Sequence, residues 1–179
     1  VAIQAESVTL AERVSLEKAA PGVSLSPLAG LVQPLREVKD ASEVANIRAA
    51  AKIQEAALLA TLKTIRAGQS ELEIAARLEF EMKTRGSSVP AFETIVAARA
   101  NGSLPHYRPQ STTVAKGQGL LIDWGATYRG YGGDMTRTLC FGKWPKKIRE
   151  IYEIVREAQE LAAAALAPGK STHEIDAIA

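Results

Sequence analysis

Cysteine is nearly absent from this chain. The single Cys140 excludes a disulfide within the chain and suits a reducing compartment. Histidine is almost as scarce, with only His106 and His173, so imidazole chemistry has few places to sit. Acidic and basic residues nearly cancel, to a formal net charge of +2, and they are scattered along the sequence. That is not the clustered basic surface that nucleic acid requires. No apolar run approaches the length of a membrane span, and the start carries no signal-peptide pattern. The expectation is a cytoplasmic protein without nucleic-acid or membrane partners. The first residue is Val1 rather than Met, which reads as processing or as a piece of something longer. What remains is 179 residues, 46% hydrophobic, enough for one ordinary domain with a core.

Residues 1–37 read as an entry segment or linker. Val1-Ala2-Ile3 suits a short strand. Ser7 or Thr9 is placed to cap a helix running to Lys18, which Pro21-Gly22 ends. Ser24 to Leu31 fits a short strand and a turn. From residue 38 the pattern is more regular. Val44, Ile47, Ala51, Leu58, Leu62 and Ile65 recur near a 3.6 period, predicting a long helix over 39–66 with Asp40 or Ser42 as N-cap. Ser70-Glu71-Leu72-Glu73 is a capping box, and Ile74, Leu78 and Met82 give the helix behind it an apolar face. The charges on both helices read as solvated faces without function. Residues 92–99 (FETIVAAR) form a strand candidate, in which Phe92 and Ile95 fit ordinary core packing. Pro105 and Pro109 stiffen a loop around His106. After Pro145, Ile148, Ile151, Tyr152, Val155, Ala158 and Leu161 predict a further amphipathic helix. His173-Glu174 begins the zinc pattern H-E-x-x-H, but Ala177 stands where the second histidine belongs.

The chain is organised around 119–140 (GLLIDWGATYRGYGGDMTRTLC). Leu120, Leu121 and Ile122 lead a strand into Asp123, and Thr136 to Cys140 suit the return strand. A two-residue turn at Arg129-Gly130 sets Tyr128 against Tyr131, Gly125 against Asp134 and Asp123 against Thr136. Asp123, Gly125, Asp134 and Thr136 then share one face, because side chains alternate along a strand. Asp123 and Asp134 become diagonal neighbours with Cα atoms roughly 7–8 Å apart. Two carboxylates so placed repel unless a cation or a shared proton compensates, and hard divalent metals take such oxygen ligands. Spacing alone leaves open the plainer reading, in which one Asp caps a turn and the other is solvated.

The wording of this stretch goes further. D-W-G-A followed by G-Y-G-G-D-M-T-R-T, with F-E-T-I-V-A (92–97) and N-G-S-L-P-H-Y-R-P (101–109) upstream, resembles the pita-bread metallopeptidases. The resemblance is to their proline-specific branch, the Xaa-Pro aminopeptidases (aminopeptidase P) and prolidases, and it runs from about Leu35 to the last residue. It implies an α+β fold, a curved antiparallel sheet flanked by helices, with 38–179 as the first half of the catalytic domain and 1–37 as the end of an N-terminal domain or a linker. It also implies a peptidase that cleaves between an N-terminal residue and a following proline by two-metal activation of water.

On that resemblance Asp123 and Asp134 are metal ligands, for two divalent ions of manganese, cobalt or zinc. His106 is not a ligand but hydrogen-bonds the scissile carbonyl or the intermediate formed from it, and with Phe92 and Ile95 it belongs to the substrate-binding set. The substrate is a proline-containing peptide or dipeptide, and the family resemblance carries an expected homodimer. The remaining ligands, one His and two Glu, lie in the second half of such domains, which this sequence lacks. The chain therefore reads as a fragment, inactive alone. The other open reading is a non-catalytic pita-bread module that binds peptides or proteins.

Overall fold

The computed structural model describes residues 1–30 and 32–179, which fall into two compact units, Val1–Val44 and Ala45–Ala179. In the first, strands β1 (Ala2–Gln4) and β2 (Ser26–Leu28) pair in parallel around helix α1 (Leu10–Ala19). Thr9 caps α1 in a reciprocal box with Glu12, as a β-region residue ahead of a helix can do. The strand and turn expected over 24–31 shrink to β2, and Leu31 lies outside the described residues. A five-residue helix, α2 (Gln33–Glu37), carries Pro34 in its first turn; it is too short to leave a periodicity in the sequence. Helix α3 (Ala41–Leu62) starts where Asp40 Oδ1 accepts from the backbone N–H groups of Ser42 and Glu43, at 2.7 and 2.8 Å. That confirms Asp40 as the N-cap.

In the second unit α3 continues to Leu62 rather than to Arg66. A turn from Thr61 to Thr64 closes it, and Gly68, in the left-handed region, donates its N–H to the Val114 carbonyl. Helix α4 (Glu71–Thr84) follows, with Ser70 and Glu73 in the expected box. Strand β3 (Ile95–Ala98) starts later than predicted. Ahead of it the Ala91 N–H bonds the Gly125 carbonyl at 2.9 Å, so Phe92 sits in a bend. Behind it Arg99 turns to φ +61 and opens a 3₁₀ turn over Arg99–Ser103. Strands β4 (Gly119–Trp124) and β7 (Met135–Cys140) complete an antiparallel sheet in the order β3-β4-β7. Between them β5 (Thr127–Tyr128) and β6 (Tyr131–Gly132) form the tip of the hairpin. Thr113 makes one isolated bridge, to Ser70. Helices α5 (Lys146–Ala165) and α6 (Thr172–Asp176) end the chain, with exposed His173 in the first turn of α6.

The core lies on one side of the sheet. Along β4 the buried positions are Leu120, Ile122 and Trp124, alternating with half-buried Leu121 and Asp123. Val96 and Ala98 from β3, Ile74, Leu78 and Met82 from α4, and Ala57 and Leu58 from α3 pack on the same side. Packing of this density holds β4 in one register, because a slip of one residue would carry Asp123 into the apolar side.

The capping box of α4 titrates in a predictable direction. The Ser70 backbone N–H and hydroxyl both donate to Glu73, which holds its carboxyl below the usual range. A lowered folded-state pKa adds stability above the unfolded value and loses it as pH falls through the folded value. Glu73→Gln keeps a capping acceptor but cannot titrate. Urea unfolding should therefore find the native chain ahead of the variant near about pH 6, with the gap closing towards about pH 3. A gap that stays constant over that range contradicts the assignment.

Candidate metal centre

The hairpin carrying the two aspartates has the register expected from the sequence. Asp123 pairs with Thr136 and Trp124 with Met135; beyond a break, Thr127 pairs with Gly132 and Tyr128 with Tyr131. Arg129 and Gly130 form the turn at φ +48 and +82, the left-handed pair that a two-residue hairpin loop of this type demands. The register is the same on both sides of the break, which sets Gly125 opposite Asp134. Asp134 is then the diagonal neighbour of Asp123 on the same face, away from the core.

The break itself is built. A Cβ on Gly125 would lie 2.1 Å from the Gly133 carbonyl oxygen and 2.9 Å from the Phe92 ring, so only glycine fits. Gln54, fully buried on α3, fills the other side. Its side-chain Oε1 accepts from the Ala126 N–H at 3.0 Å, and its carbonyl accepts from the Trp124 indole at 2.9 Å. A Cβ on Gly133 would meet that Oε1 at 2.2 Å. The Ala126 N–H at the interrupted ladder is thus bonded to a helix beneath it.

Asp123 is half-buried and its Oδ1 is buried without a hydrogen-bond partner among the described residues. Burial pushes its carboxyl above the usual range. The Thr136 side chain opposes this by hydrogen bonding to it, the charge of Asp134 pushes it further up, and the His106 imidazole pulls it down. Those influences put Asp134 and His106 within electrostatic reach of the same carboxylate. Asp134 and His106 are both exposed, and His106 holds a left-handed φ of +51 in its loop. Ile95, on β3, pairs directly with Asp123, so Ile95, Asp123 and Thr136 form one row across the three strands. Phe92 is half-buried with its ring against Gly125. All five residues singled out from the sequence are therefore gathered around β4.

A hard divalent cation fits this face. An orphaned, desolvated carboxylate oxygen with a second carboxylate in electrostatic reach of it is the kind of oxygen donor set such an ion takes. It is a partial set: among the described residues no three His, Cys, Asp or Glu side chains gather as a ligand cluster. A cavity of about 400 Å³ lined by Leu62, Ile65, Leu139, Phe141, Trp144 and Tyr152 holds neither aspartate and belongs to the apolar packing. Two residues that matter here escaped sequence reading. Gln54 carries no local signal, being one polar residue on a long helix. Glu71 looked like a solvated first-turn charge, and it is instead completely buried. The spacing S-E-L-E marks a helix start but does not tell which of its two acids faces inwards.

Residues 45–179 match the model of metallopeptidase family M24. An Xaa-Pro dipeptidase of Pyrococcus furiosus is 40% identical over 149 residues, 83% of this chain and 43% of that protein. The crystal structure of an X-Pro aminopeptidase from Thermotoga maritima superposes with a TM-score of 0.94 at 36% identity, covering 99% of this chain and 50% of that one. Prolidase from Pyrococcus furiosus gives a TM-score of 0.89 at 34% identity, with 99% and 52% covered. The chain belongs to metallopeptidase family M24 and has the fold of the N-terminal part of the pita-bread domain in prolidase-type structures. It spans about half the length of the relatives it matches. Among the described residues no helix is long and apolar enough to cross a membrane.

Proposed function

We propose that this chain carries one side of the active centre of a metal-dependent peptidase that removes an N-terminal residue preceding proline. The observation that carries the reading is Asp123, a desolvated carboxylate with a free oxygen beside a second carboxylate. Family membership supports peptide hydrolysis. The relatives, Xaa-Pro dipeptidases and prolidases among them, support proline specificity and favour dipeptides as substrates.

In this reading Asp123 and Asp134 would together hold two divalent ions of manganese, cobalt or zinc type, with the other ligands coming from a further part of the enzyme. Such ions supply Lewis acidity, polarising the peptide carbonyl and acidifying water. Thr136 fixes the orientation of the Asp123 carboxylate through its hydrogen bond. Phe92 and Ile95 offer an apolar wall beside the carboxylates for the side chain of the residue being released. His106 donates a hydrogen bond to the carbonyl oxygen as negative charge develops there.

The role of His106 is testable. In the metal-loaded, full-length enzyme, His106→Ala should lower kcat on an Xaa-Pro dipeptide by about 10²–10³-fold, the range for a lost oxyanion donor. KM should change little, and metal content should not change. Loss of the metal in this variant would make His106 a ligand and refute its assigned role. The 179 residues by themselves should turn over little, since two carboxylates cannot complete a dinuclear site. Strong, chelator-sensitive cleavage of Xaa-Pro by the isolated chain would overturn that division of the site.

A further inference from the structure

We propose that Glu71 is a positioning residue for His106: its buried carboxylate clamps both ends of the loop that presents the imidazole. The inference rests on the proposed role of His106 and names the device that serves it.

Glu71 is fully buried at the first position of α4. Oε1 accepts from the Ala98 N–H at 2.7 Å and from Asn101 Nδ2 at 3.0 Å. Oε2 accepts from the Tyr107 hydroxyl at 2.8 Å and from the Gln110 N–H at 2.9 Å. Its own backbone N–H donates to the Thr112 carbonyl at 2.9 Å. Among the described residues no cation pairs with it. Glu81, the other buried acid of α4, is different, being paired with both Arg77 and Arg85. A buried carboxylate without a counterion is an expensive way to hold a fold together, since an apolar cluster of the same volume usually does at least as well. The four donors and the positive end of the α4 dipole make it tolerable here.

The position of those donors points to the purpose. Ala98 and Asn101 precede His106, Tyr107 follows it directly, and Gln110 closes the segment. Inside the clamp Arg99 and His106 both hold left-handed backbone, at φ +61 and +51, without being glycine. Such residues persist only where the surroundings over-determine them. Tyr107 carries the mark of the same contact: burial and then the Glu71 carboxylate raise its phenol above the usual range. Glu71 thus couples the start of α4 to both flanks of a strained residue whose side chain is exposed within electrostatic reach of Asp123.

The test is Glu71→Gln, which keeps the shape but turns one acceptor into a donor. Whichever way the amide is oriented, its NH2 group meets either the Ala98 or the Gln110 N–H, and that backbone group loses its acceptor. By NMR on the 179-residue chain, hydrogen exchange at one of these two amides should rise about tenfold or more, while β4 and β7 keep their protection. The His106 imidazole resonances should shift or broaden; with only two histidines, His173→Gln assigns them. In the full-length, metal-loaded enzyme kcat should fall by about tenfold or more with KM and metal content kept. Tyr107→Phe, which removes one donor and leaves both backbone bonds, should give a smaller loss of the same kind. Exchange that rises equally across β4 and β7 would make Glu71 a general staple and overturn the proposal. So would unchanged His106 signals, or an unchanged kcat in Glu71→Gln when His106→Ala is impaired. If His106→Ala itself retains full kcat, the reading of His106 fails first and this proposal fails with it.

Discussion

Asp134→Ala in the full-length enzyme should lose bound metal and nearly all turnover, on the order of 10³-fold or more. The size follows from what the residue is proposed to do. A cation that polarises a carbonyl contributes several kcal/mol to the transition state, and each 1.36 kcal/mol is a factor of about ten. Asp134 is exposed, so the truncation leaves no cavity, and the fold should survive it. The variant should therefore melt at nearly the metal-free temperature of the native enzyme while binding little manganese or cobalt by calorimetry. Retained turnover with Asp134 removed would defeat the dinuclear reading. Retained metal with lost turnover would move Asp134 from ligand to proton handling.

Gly125→Val should have the largest effect on stability of any single change on this face, about 4 kcal/mol or more, which is in the exceptional range for a point substitution. Its Cβ would lie 2.1 Å from the Gly133 carbonyl oxygen, a backbone atom that cannot swing aside. The added methyl groups would press on the Phe92 ring and the Ala91 Cβ, at 2.9 and 3.0 Å from the Cβ position. Relief requires the hairpin to open at its break, which takes the Ala126 N–H away from Gln54 and frees the buried Trp124 indole. Trp124 is fully buried, so its fluorescence should shift to the red, and the unfolding midpoint in urea should fall sharply. A variant as stable as the native chain would show that the break is soft and that the close approach of Gly125 to Gly133 is not enforced by the backbone.

The two aspartates and their facing partners were readable because a hairpin is a local object. Arg129-Gly130 defines the turn, the turn defines the register, and alternation does the rest, so Asp123 opposite Thr136 followed from counting. The long helix and the Ser70–Glu73 capping box were legible for the same reason: their signals lie within four residues of each other. Where the reading failed, the deciding contact was distant. The strand predicted over 92–99 lost its first residues to a bond between Ala91 and Gly125. Leu62 rather than Arg66 ended α3 because the chain there turns towards Val114.

Gln54 and Glu71 illustrate the limit most clearly. The Gln54 side chain reaches Ala126, 72 positions away, and Glu71 reaches Asn101, Tyr107 and Gln110, 30 to 39 positions away. Periodicity assigns a residue to the inner or outer side of a helix but does not say what stands opposite. Both residues are hydrophilic at positions where the amphipathic pattern tolerates either kind, so nothing local separates them from solvated neighbours. The sequence by itself determined the pairing register of the hairpin, because a two-residue turn at Arg129-Gly130 fixes which residues stand opposite each other. Only the tertiary structure decided which polar groups support that hairpin, because a buried acceptor is defined by donors that the fold brings to it from elsewhere.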